Sequence, residues 1–213
     1  MVISRQDVEI PVDGTRVPGI LAVPPHPRGL VIFAHGSGSS RFSSRNTYVA
    51  GVLQKESIAT LLMDLLTEQE DRDPQARFDI ALLANRLTSV TRWMASQPGM
   101  QHLPIGYFGA STGAAAALKA AARLGDKVDV IVSRGGRPDL AEDCNLESVV
   151  APTLLMVGGY DDAVISLNRH ALSKLQCDKQ LVIVPGATHL FEEPGALEQV
   201  ARFATDWFLR SFH

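Results

Sequence analysis

Gly109-Ala110-Ser111-Thr112-Gly113 sets a serine between glycines where a short apolar run ends and an Ala-rich segment begins. A sharp strand-to-helix turn there strains the backbone and lifts the hydroxyl clear. Small flanking residues let neighbouring backbones pass closely. The helix start brings positive partial charge and free N–H groups beside the hydroxyl, which suits an anionic tetrahedral intermediate. Thr112 N–H is therefore one candidate oxyanion donor. The structural alternative is that the glycines make a tight junction and Ser111 caps the helix.

A serine hydroxyl is a poor nucleophile until a base takes its proton, so a histidine is needed downstream at the same edge. His189 meets that need, in the loop Pro185-Gly186-Ala187-Thr188-His189-Leu190-Phe191. A carboxylate must then orient the imidazole and stabilise its positive charge. Asp161, in Gly158-Gly159-Tyr160-Asp161-Asp162, lies between the other two in sequence. One aspartate of this tandem is expected to serve the histidine and the other to cap the next helix. The glycine-rich stretch His35-Gly36-Ser37-Gly38-Ser39-Ser40 offers a second oxyanion donor, the Ser37 backbone N–H. His35 is expected to hold this loop by hydrogen bonds rather than to act chemically. Arg41, Arg45, Arg134 and Arg137 are expected in or near loops at the same edge, either to bind a substrate carboxylate or to pair with acids such as Asp139 and Glu142. Phe42, Tyr160 and Phe191 either line a pocket or pack.

The elements that must position these residues follow from the pattern of apolar runs. Residues 8–12 and 16–23 read as strands joined at Asp13-Gly14, a dipeptide suited to a tight hairpin turn. A wholly apolar run at 29–34 is the pattern of a strand covered on both faces, and similar runs recur at 59–63, 105–108, 128–132, 153–157 and 180–184. Helical spacing fills 75–97, 112–124, 164–176 and 196–211, with a weaker pattern at 45–55. Strand alternating with helix predicts a mostly parallel sheet with helices on both faces, an N-terminal antiparallel hairpin and a site beyond the carboxyl ends of the strands. The connection from about 134 to 152 is too short for a folded lid.

With 213 residues, 46% hydrophobic and 20% charged, a single domain over 1–213 with a sizeable core is expected. A net charge of −3 and no run of Lys or Arg give no footprint for nucleic acid or an anionic membrane. Cys144 and Cys177 show neither metal-site spacing nor a disulfide framework, so reduced thiols, no metal and a cytoplasmic location are expected.

Taken with His35-Gly36, Gly109 to Gly113, Gly158-Gly159-Tyr160-Asp161 and Gly186-Ala187-Thr188-His189, the chain resembles the α/β-hydrolase superfamily. Within it, the likeness is to the compact dienelactone-hydrolase-like branch, which has no lid. The resemblance implies the α/β-hydrolase fold, no cofactor, and a small-molecule ester or lactone as substrate. Dienelactone hydrolases proper use a cysteine where Ser111 stands, a departure that favours a general carboxylesterase. Reading the turn as the family's Gly-Gly-x-Asp implies Asp161 as the acid, with Ser111 as nucleophile and His189 as base. Arg41, Arg134, Tyr160 and Phe191 are the expected substrate contacts. Two rivals stand beside this reading: an acyltransferase or peptidase using the same residues, and a non-catalytic binding protein that keeps the fold.

Overall fold

The computed structural model describes residues 2–141 and 145–212. Eight strands, β1 (Ser4–Val12), β2 (Thr15–Val23), β3 (Leu30–Ala34), β4 (Ala59–Met63), β5 (Ile105–Ala110), β6 (Val130–Arg134), β7 (Thr153–Gly158) and β8 (Lys179–Val184), form one sheet in the order β1-β2-β4-β3-β5-β6-β7-β8. The helices are α1 (Ser44–Lys55), α2 (Ile80–Ser96), α3 (Thr112–Leu124), α4 (Asp162–Lys174) and α5 (Ala196–Ser211). From β4 to β8 every pairing is parallel. The β1–β2 hairpin, turned by Asp13 and Gly14 with φ of 43° and 81°, joins β4 antiparallel.

The period of two along each strand sorts its side chains between two cores. Leu30 and Ile32 of β3 face the layer containing Leu87 of α2, Ala117 of α3 and Ala171 of α4. Val31 and Phe33 face Val49 and Leu53 of α1 and Phe208 of α5. Both faces are thus covered, which is why these strands are apolar throughout. From β3 the chain moves outward to β4 and then returns to pair β5 on the other side of β3. The loops after β3 and β5 therefore diverge, and such a switch point opens a crevice at the strands' carboxyl ends.

The element boundaries differ from expectation where hydrogen bonds override hydrophobic pattern. β1 starts at Ser4 because the ladder to β2 continues through the exposed, polar residues 4–7. β6 runs to Arg134, so Arg134 ends a strand and is not in a loop. The expected helix at 75–97 begins at Ile80, where the Asp79 carboxylate accepts the Leu82 N–H; residues 76–78 form a separate single turn. Residues 44–55 form a full helix, capped by Ser43, whose hydroxyl accepts the Asn46 N–H. Among the described residues, no helix is long and apolar enough to cross a membrane.

Candidate active site

Ser111 leaves β5 with φ 51° and ψ −118°, in a region that costs an ordinary residue on the order of 1–3 kcal/mol. The surroundings enforce it. The Ser111 N–H donates to Arg134 O at 3.2 Å, and Ser111 O accepts N–H groups from Ala114 and Arg137 at 3.1 and 3.2 Å. The glycines on either side are sterically required: a Cβ on Gly109 would lie 2.5 Å from Ala114 Cα, and one on Gly113 would lie 2.1 Å from Ala34 O. Ser111 occupies the N-cap position of α3, yet its side chain makes no capping bond, so the hydroxyl is not spent on helix termination.

Asp161 and His189 follow the adjacent strands β7 and β8, whose loops are tied together: Gly159 N–H donates to Val184 O at 2.8 Å and Tyr160 N–H to Ala187 O at 2.9 Å. His189 Nδ1–H donates to Asp161 Oδ2 at 2.6 Å, which leaves Nε2 as the acceptor facing Ser111 Oγ at 3.4 Å. Asp161 stands at the N-cap position of α4 but makes no cap bond, its carboxylate being turned to the imidazole. Asp162 is exposed in the first helical turn, where its charge suits the helix dipole. It does not make the expected capping bond, because α4 starts at Asp162 rather than at 164.

The two candidate oxyanion donors differ. Thr112 N–H, at the open end of α3, has no acceptor among the described residues. Ser37 N–H is already donated, at 2.9 Å, to the hydroxyl of Thr112, a residue only 2% exposed. The second expected donor is thus engaged within the protein. His35 holds the loop as expected: Nδ1–H donates to Gly36 O at 2.9 Å and Nε2 accepts Leu65 N–H at 3.1 Å. Burial holds the His35 pKa below its ordinary value, so the ring is neutral, as this bonding requires.

The expected substrate contacts fare unevenly. Arg41 is bound to Asp64, which takes both its guanidinium and, at 2.6 Å, its N–H, so Arg41 is spent on anchoring the loop. Asp64, directly after β4, was missed by sequence reasoning; an acid closing an apolar strand was its only signal. Arg137 pairs with Asp139 at 2.7 Å, and Arg45 with Glu192 at 2.8 Å. Arg134 is buried, its guanidinium carbon 5.8 Å from the Phe191 ring centroid. Tyr160 is 75% exposed and Phe42 also projects to solvent, with Arg41 over its ring. Phe191 is 1% exposed in the α1–α5 core, so it packs rather than lining a pocket. Glu142 and Cys144 lie outside the described residues. Cys177 is half-buried and donates to the Thr153 hydroxyl, and burial raises its pKa. No group of three His, Cys, Asp or Glu among the described residues is placed to hold a metal.

A mostly parallel sheet bearing a strained serine elbow after β5, a carboxylate after β7 and a histidine after β8 is the architecture of an α/β hydrolase. The dienelactone hydrolase family model matches residues 17–211, and the chain belongs to that family. A dienelactone hydrolase from Anabaena variabilis is 53% identical, with a TM-score of 0.96 over 99% of both chains. A cold-adapted esterase from an Arctic intertidal metagenomic library shares the fold at 17% identity and a TM-score of 0.77, covering 96% of this chain and 94% of its own. A Mycobacterium tuberculosis protein with the provisional name phosphoribosyl transferase is 59% identical over 96% of this chain, which spans only 46% of that relative's length. Family and fold together give the chain the α/β-hydrolase architecture.

Proposed function

We propose that the chain is a serine hydrolase that cleaves a carboxylic ester or lactone of a small molecule through an acyl-enzyme on Ser111, acting in the cytoplasm. The observation that carries this reading is the hydrogen-bonded line from Asp161 through His189 to Ser111, at 2.6 and 3.4 Å. In the first step Ser111 Oγ attacks the carbonyl carbon as its proton passes to His189 Nε2, and the C=O electrons move onto oxygen. Thr112 N–H meets that oxyanion. Ser37 N–H joins it by exchanging the neutral Thr112 hydroxyl for a charged acceptor, a bond strengthened only as charge develops. Collapse expels the alcohol, protonated by His189; a water deprotonated by the same nitrogen then releases the acid and restores Ser111.

A fluorophosphonate probe followed by a p-nitrophenyl ester panel tests this reading. The wild type is expected to label and turn over, and Ser111→Ala to do neither. A wild type silent to both overturns it.

A second reading, group transfer to an acceptor other than water, is favoured by the name of the mycobacterial relative. Because this chain spans 46% of that protein, the name fits equally an activity of the remaining length. Competition between water and added alcohols or amines for the acyl group separates transfer from hydrolysis.

A further inference from the structure

The four arginines near the site divide sharply by partner. Arg41 has Asp64, Arg137 has Asp139, and Arg45 has the exposed Glu192. The guanidinium of Arg134, a residue only 7% exposed, has no carboxylate or other hydrogen-bond partner among the described residues: its Nε and Nη1 are enclosed and unpaired, while Nη2 is not enclosed. Arg45 Nε is enclosed and unpaired as well.

Removing a guanidinium from water without an anion is expensive, and proteins rarely do so without a use. Burial first, and then the nearby Arg45 cation, push the Arg134 pKa down to about 10, so the group stays charged at neutral pH. The backbone that carries it lies against the proposed chemistry. Its carbonyl accepts the Ser111 N–H. The next residue, Gly135, lies under His189, so that a Cβ there would be 3.4 Å from His189 Cε1. Phe191 and Glu192, which meet Arg134 and Arg45, continue the His189 loop.

We propose that Arg134 and Arg45 form an anion subsite beside Ser111 that selects esters carrying a phosphate-like group. This rests on the ester-hydrolase reading above. The anion enters at Arg134 Nη2 and takes Arg45 from Glu192, a partner 64% exposed and therefore readily released. Two guanidinium forks suit a tetrahedral group with three free oxygens, whereas a single carboxylate fills one fork.

The first experiment reads inorganic phosphate at constant ionic strength. Phosphate is expected to raise the Tm of both wild type and Ser111→Ala, and not that of Arg134→Met. The second reads kcat/KM for p-nitrophenyl phosphonoacetate, p-nitrophenyl hemisuccinate and p-nitrophenyl acetate. The phosphonate-to-acetate ratio is expected to fall by about tenfold or more in Arg134→Met, the usual scale for one charged hydrogen bond. Should Arg134→Met not fold, Arg45→Gln, a change on the more exposed side of the pair, carries both measurements.

An unchanged ratio, or phosphate stabilising the variant as much as wild type, overturns the subsite. Hemisuccinate preferred over phosphonate overturns the phosphate assignment. Silence of every ester with the phosphate shift intact overturns the hydrolase reading and leaves the subsite standing.

Discussion

The Thr112 hydroxyl accepts the Ser37 N–H at 2.9 Å, joining the loop after β3 to the first turn of α3 across 75 residues of sequence. One residue thus offers its own N–H to the site and holds the loop that carries the other donor.

Thr112→Val removes that tether and keeps the side chain's shape. We expect kcat on a short activated ester to fall between about tenfold and a hundredfold, the cost of a misplaced donor, with KM little changed. Thr112→Ser restores the hydroxyl and should recover most of kcat. Steady-state kinetics on the pair decide it; a Val variant at wild-type rates, or a Ser variant as slow as Val, leaves Thr112 a packing residue.

The Asp tandem separates cleanly. Asp161→Asn offers an amide where the His189 Nδ1–H needs an acceptor, and the same change in serine proteases costs about 10⁴ in turnover. Asp162→Asn touches only an exposed first-turn charge and should stay near wild type, with a stability loss below about 1 kcal/mol. Kinetics and thermal melts of both variants check this; a collapse in Asp162→Asn alone would shift the acid by one residue.

Phe191 anchors the His189 loop through a ring buried in the α1–α5 core, on a backbone with φ 56°. Phe191→Ala should destabilise the fold by about 3–5 kcal/mol, measured by urea unfolding. The loop loses its anchor with the ring, so turnover in the surviving folded fraction should drop too.

Acid should act on the loop after β3 through His35. Its folded pKa lies below the ordinary 6.5, so between those two values the unfolded chain binds the proton and the folded one does not. His35 therefore contributes stability above about pH 6.5 that is lost as pH falls toward its folded pKa. Urea midpoints from pH 8 to pH 5 should decline in the wild type. The decline should be shallower in His35→Gln, which keeps a side-chain acceptor for Leu65 N–H without titrating. Parallel curves would show that other groups set the acid limit.

Ser111 was legible because it follows the apolar run of a covered strand and the elbow's glycines mark a close backbone approach, and His189 because it follows the last strand of the pattern, the half-buried edge strand β8. The choice between Asp161 and Asp162 needed the helix start, which pattern alone placed two residues late. Phe191 was read equally as pocket or packing because a loop has no periodicity to say which way a ring turns. The engagement of Ser37 N–H was invisible for a different reason: its acceptor lies 75 residues away, and only the folded crevice brings them together. Likewise nothing in the spacing distinguished Arg134 from Arg41, since pairing with Asp64 depends on where β4 ends.

Ser111 leaves β5 while Asp161 and His189 leave β7 and β8, so β6 and β7 lie between the strands that carry the hydroxyl and the imidazole, paired in one ladder. The 3.4 Å gap therefore depends on how the four strands β5 to β8 are twisted relative to one another, as well as on the loops that carry the two side chains. Warming that loosens this register opens the gap while the helices remain intact. Heat inactivation is then expected at a lower temperature than the loss of circular dichroism, and it should reverse on cooling.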